Sequence, residues 1–240
     1  MTFKGLLPLA LLSLALGCRF ERLQQARVAQ EIKALEREMT SGKPLAPLTV
    51  DPSRLGPYFP LLQHMHAQAT RLQTASQQVE ILGKADGESL RPQRLVDADH
   101  RRKEHERLGA LVHHLETALD AEDELVGPKG QAFVTALPVD AEFKQGVANG
   151  YREKGKTLDL LIGIMRQKRE YYRQMEGIVT LADQGLEGLE AGGKLRFRTH
   201  EQVMAYLNAV TELLKAERLL NEDVARFQAQ RQTGSAVAGS

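Results

Sequence analysis

Apolar residues recur at three- and four-residue intervals over most of this chain, the spacing that stacks side chains along one face of an α-helix. Val28, Ile32, Leu35 and Met39 form the first stripe and predict a helix from Phe20 to Thr40. Ser41-Gly42-Lys43-Pro44 stops it, and Pro44, Pro47, Pro52 and Pro57 keep the next stretch extended or turning. Residues 41–57 therefore read as a Pro-rich linker, or as a segment laid over the helices.

A second helix is expected to start between Pro57 and Pro60, since proline is tolerated in a first turn. Its stripe is Leu62, Met65, Ala69, Leu72, Ser76, Val79 and Leu82, closed by Gly83 and a polar run. The third opens near Asp97 or Asp99, whose carboxylates suit a helix start. It carries Leu108, Leu111, Val112, Leu115, Leu119 and Leu125 before Gly127-Pro128. Asp140 can cap the next segment, lined first by Phe143, Val147 and Tyr151. From Leu158 the pattern strengthens through Leu161, Ile162, Met165, Tyr172, Met175, Val179, Ala182, Leu186 and Leu189. One bent helix or two would fit residues 140–189. Gly192-Gly193 ends that run, and Thr199 with Gln202 has the capping-box form. The last stripe is Val203, Leu207, Val210, Leu214, Leu220, Val224 and Phe227; residues 232–240 are small, polar and expected to be a disordered tail.

These elements predict an all-α fold. Four to five long amphipathic helices would pack as an antiparallel bundle, or as an elongated set of hairpins, over residues 58–231. Trp is absent, aromatics make up 5% of the chain, and no cysteine follows position 18. The helical part can form no internal disulfide, so apolar packing must hold it.

The first residues follow a different rule. An apolar run from Leu6 to Leu16 leads into Gly17 and the single cysteine, Cys18. A spanning helix needs roughly 20 apolar residues. This run is shorter and, with Lys4 ahead of it, reads as the core of a signal peptide covering residues 1–17. The segment Leu14-Ala15-Leu16-Gly17-Cys18 resembles the lipobox of bacterial lipoproteins. That resemblance implies cleavage between Gly17 and Cys18, diacylglycerol on the cysteine sulfur, and usually an acyl chain such as palmitate on the new N-terminus. Two or more chains make a stable anchor where one does not. Position 19 is Arg where an Asp would favour inner-membrane retention, so the resemblance points to the outer membrane, facing the periplasm. It covers only the first 19 residues; residues 18–40 would then be a lipidated N-terminus and the first helix.

Charge narrows the partners further. Lys4 is the only charged residue before Cys18, which leaves 31 basic and 31 acidic side chains after it. Such balance argues against nucleic acid, whose binders carry a basic excess.

Candidate chemistry is sparse. His64, His66, His100, His105, His113 and His114 never recur at three, four or seven residues within one helix, and the zincin pattern is missing. Asp120, Glu122, Asp123 and Glu124 lack the glycine and distal Glu of a calcium loop and read as a solvated helix end. No nucleophile elbow, Ser-x-x-Lys pair or phosphate loop is present. No catalytic residue, metal or cofactor is expected on these grounds. Two basic stretches remain. Arg101-Arg102-Lys103 with Arg107 could meet anionic headgroups or cell-wall polymers, and Arg166, Arg169, Tyr171 and Arg173 form a candidate partner-binding surface.

The leading expectation is a non-enzymatic envelope lipoprotein. It would be held to lipid through acylated Cys18 and serve another envelope protein as scaffold, adaptor or accessory subunit. Self-association is a further candidate. Two alternatives belong to other classes: a bundle that binds a lipid or small apolar ligand between its helices, and an enzyme whose site assembles from Asp97, His100 and His105.

Overall fold

A computed structural model describes residues 21–41, 43–85 and 89–237 of the chain. The expected signal peptide and Cys18 lie outside them. Among the described residues there are eight α-helices and one two-stranded sheet, so the fold is all-α as the periodicity predicts. The helices are α1 (Glu21–Ser41), α2 (Pro52–Leu55), α3 (Phe59–Leu82), α4 (Pro92–Leu95), α5 (Ala98–Val126), α6 (Pro128–Ala136), α7 (Ala141–Gly185) and α8 (His200–Val237). Five of them are long and three are short connectors. Residues 141–185 make one helix, and α8 continues past the Gln232 boundary expected from composition. No described helix is long and apolar enough to cross a membrane.

The chain divides into two compact units, each built from segments distant in sequence. The first comprises residues up to Gln77 together with Thr117–Ile162. Val28, Ile32, Leu35 and Met39 of α1 are all buried, as are Leu62, Met65, Ala69 and Leu72 of α3. Each of the Val, Ile, Leu and Met side chains stabilises by roughly 1.5–3 kcal/mol when removed from water. The Pro-rich segment is laid down and held. Gln73, itself buried, accepts from the Leu45 amide at 2.9 Å and donates to the Lys43 carbonyl at 2.6 Å. His66 adds a 2.7 Å contact to the Ala46 carbonyl.

A buried polar node joins three segments of this unit. Gln25 Nε2 of α1 donates to the Tyr58 hydroxyl and to Asp140 Oδ2, each at 2.9 Å. The Tyr58 hydroxyl donates to the same carboxylate oxygen at 2.9 Å, and its ring meets Phe143 edge-on at 4.7 Å. The other oxygen of Asp140 accepts from the Phe143 amide at 2.7 Å, the N-cap bond that starts α7. Burial pushes the Asp140 carboxyl up, yet the donors around it outweigh that effect and hold it below the ordinary carboxylate value.

The second unit comprises Gln78–Glu116 and the residues from Gly163 onward. Its core takes Leu108, Leu111 and Leu115 from α5 and Ile164, Met165, Tyr172, Met175, Ile178, Val179 and Ala182 from α7. Asp97 starts α5 by accepting from the Asp99 amide at 2.9 Å, and the Thr199–Gln202 capping box that starts α8 is formed in both directions. One element departs from the periodicity. Leu186 and Leu189 continue the helical spacing, but α7 ends at Gly185 and they stand in strand β1 (Leu186–Leu189). It pairs antiparallel with β2 (Leu195–Phe197), with an irregularity between Leu186 and Gly188. Gly192 and Gly193 make the turn at φ +94° and +79°, values that L side chains rarely adopt. Phe197 seats the hairpin against Tyr206 of α8, ring centroids 5.2 Å apart.

Glu122 also departs from expectation. It continues the α5 stripe of Leu115, Ala118 and Leu125 at core spacing and is 3% exposed, not part of a solvated helix end. Burial alone pushes its carboxyl from 4.5 up to about 7. The unfolded chain therefore loses this proton first as pH rises, and stability falls between about 4.5 and about 7. The accumulated cost above that window is about 3 kcal/mol. Glu122→Gln should be the more stable protein at about pH 8, with the advantage vanishing as pH falls toward 4.5. Chemical denaturation of both proteins across that range checks it; a difference that stays constant with pH would refute the assignment.

Candidate functional site

The basic stretch of α5 turns inward and serves the fold of the second unit. Arg107, 13% exposed at its side chain, donates to Glu104 through Nε and Nη2 and to the Ser89 hydroxyl at 3.0 Å. Its Nη1 donates to the Leu82 carbonyl at 2.7 Å, at the end of α3. Arg101, equally buried, donates to the Leu95 carbonyl at 2.6 Å and pairs with Asp183 of α7. Only Arg102 and Lys103 remain exposed, Arg102 in a 3.0 Å pair with Asp99. Two of the four expected headgroup ligands, Arg101 and Arg107, are thus already engaged. The Arg101–Asp183 pair was invisible to local reading because the two residues lie 82 positions apart.

The residues proposed for an assembled enzyme site have separate employment. Asp97 caps α5, and His100 Nε2 contacts the Ser89 carbonyl at 3.0 Å. His105 lies between two carboxylates of α7, Asp183 at 3.1 Å and Glu176 at 4.0 Å. The two histidines each fix one element to another, and no group of three or more metal-ligating residues forms among the described residues. In the first unit His64 stacks on Phe133 at 4.0 Å and contacts the Glu124 carbonyl at 2.8 Å.

The acidic cluster at the end of α5 is divided by its partners. Asp120 receives Lys129 at 2.5 Å and Arg71 at 2.8 Å, and these bonds hold its carboxyl below the ordinary value. Lys129 is raised in turn by Asp120, and it also reaches Asp123 at 3.8 Å and Glu124 at 3.9 Å. Gly127 and Gly130 allow the sharp return that brings Lys129 over this last turn; a Cβ on Gly130 would stand 2.6 Å from the Glu124 carbonyl oxygen.

The expected partner surface on α7 resolves into unlike pieces. Arg166, Arg169 and Arg173 fall at i, i+3 and i+7 on one stripe, and Tyr171 is turned away from it. Arg166 is exposed, and Arg173 pairs with Glu116 at 2.5 Å. Arg169 is half-buried, its Nε without a hydrogen-bond partner. Tyr171 meets the fully buried Tyr172 edge-on at 5.5 Å, while Lys168 stands 5.7 Å over the ring of Tyr172.

A different surface emerges on α8. Leu207 and Leu214, expected in the core, are 50% and 59% exposed, and Met204 beside them is 45% exposed. The side of α8 that faces its own unit instead carries Ala216 and Phe227, both buried, with Tyr206, Leu213 and Leu220 half-buried. A signal for this was present in the sequence. Tyr206-Leu207, Leu213-Leu214 and Leu219-Leu220 are adjacent apolar pairs, and neighbours about 100° apart on a helix cannot both point into one narrow seam. Tyr206 and Leu213 turn in while Leu207 and Leu214 turn out. The result is a second apolar face, interrupted by Thr211 and Arg218 and flanked by Glu201, Asn208, Lys215 and Glu222.

No protein-family model, no curated protein and no solved structure matches this chain.

Proposed function

We propose that this chain is a lipid-anchored protein of the bacterial envelope, acting without catalysis as a scaffold, adaptor or accessory subunit. The observation that carries this reading is Cys18, set directly behind an apolar run too short to span a bilayer and preceded by small Gly17. Acylation there would tether a helical body to the membrane surface, and Arg19 favours the periplasmic face of the outer membrane. An envelope protein is the partner this reading calls for. The second apolar face of α8 supports an interaction role, because exposed apolar area of this kind is characteristic of contact surfaces. The assembled-enzyme alternative gains nothing from Asp97, His100 and His105, which are each occupied in fixing the fold.

Mass spectrometry of the protein from its native membrane should find residue 18 as the first residue, modified by diacylglycerol and an acyl chain. Cys18→Ala should release the body from the membrane fraction or leave an unprocessed precursor. A variant that stays in the membrane fraction as fully processed protein would defeat the anchoring claim.

A further inference from the structure

We infer that the outward face of α1 lies on anionic lipid headgroups of the membrane in which Cys18 is anchored. This rests on the anchoring reading above and adds to it a surface, an orientation and a class of lipid. The inward side of α1 is committed to the core, where Val28, Ile32, Leu35 and Met39 are buried. Opposite them runs a strip centred on Gln30, with Leu23, Ala34 and Arg37 close to its line and Arg27 and Lys33 on either side. All of these are exposed, Leu23 by 57%. The acidic residues Glu31, Glu36 and Glu38 lie about 80–120° around the helix from Gln30, outside the strip. Arg27 and Lys33 form no ion pair among the described residues.

Tether length and charge together select the occupant. Acyl chains would hold Cys18 at the level of the headgroups, and only residues 19 and 20 separate it from the start of α1. Three residue steps reach at most about 10 Å, close to one Debye length at physiological salt. The cations of the strip are thereby kept where the potential of an anionic surface is felt. With the axis of α1 along the bilayer, Leu23 comes first, beside the acyl chains. Arg27, Lys33 and Arg37 follow it over about 20 Å of helix. The long stems of Arg27 and Lys33 carry their charged heads past small Ala34 to phosphate oxygens, where charge-assisted hydrogen bonds form. Because the apolar stripe of α1 is already turned inward, the helix cannot insert. The contact is peripheral, held by charge and weakened by salt.

The lipidated full protein, purified in detergent and returned to vesicles, carries the test. With Cys18 acylated, Gln30→Cys supplies a single free thiol for a fluorophore on the strip. Its quenching by headgroup-labelled lipid should be strong on phosphatidylcholine vesicles containing phosphatidylglycerol, weak on phosphatidylcholine alone, and reduced by salt. Arg27→Gln with Lys33→Gln should lower the docked-to-free ratio about thirtyfold, since each basic side chain at such a surface changes it about fivefold. Arg27→Lys with Lys33→Arg should preserve it. Both positions are exposed, so circular dichroism should be unchanged in either variant. Equal quenching on the two kinds of vesicle, or quenching indifferent to the Gln substitutions, overturns the proposal and leaves the anchor standing. Protein that does not stay on the phosphatidylcholine vesicles overturns the anchor, and the proposal with it.

Discussion

Stripe burial is the constraint on which everything else here depends. With no cysteine beyond position 18, each unit is held by helices that must turn an apolar stripe inward, and any polar residue falling on that stripe needs a local answer. The molecule answers in three ways. Gln25, Tyr58 and Asp140 satisfy one another and cap α7 in the same act. Arg107 and Arg101 feed buried donors to main-chain carbonyls and carboxylates where α3, α4 and α5 meet. Glu122 is answered only by keeping its proton, which ties the stability of its unit to pH. A satisfied network of this kind fixes which helix face meets which, whereas apolar contact alone is nearly indifferent to small rotations.

That economy shapes the functional reading. Arg101 and Arg107, which looked like ligands for anionic polymers, and His100 and His105, which looked like parts of a catalytic site, join elements within one unit. Arg101, His105 and Asp183 illustrate it, as three groups of mixed charge close enough to suggest chemistry yet placed to fasten α5 to α7. The outer face of α8 carries Met204, Leu207 and Leu214, three large apolar side chains that are each about half exposed.

Much of the fold was legible from residues alone, because helical periodicity is local. The stripes of α1 and α3, the start of α5 at Asp97, the Asp140 cap and the Thr199–Gln202 box each involve residues within a few positions of one another, and hydrogen-bond reach at that distance is set by backbone geometry. The hairpin after Gly185 was not legible. Leu186 and Leu189 keep the helical interval, whereas the turn at Gly192 and Gly193 and the seat of Phe197 on Tyr206 favour strands. Glu122 was misjudged from its acidic neighbours even though its spacing from Leu115, Ala118 and Leu125 placed it in the core.

By itself the sequence determined the helical class, the inward stripes and most of the caps. Tertiary structure decided which charges are spent internally, which of each adjacent apolar pair in α8 is buried, and that two compact units are assembled from distant segments. Periodicity shows that a helix has an apolar side, but it cannot show how many neighbours arrive to cover it. That number depends on contacts between residues tens of positions apart, which no local pattern records.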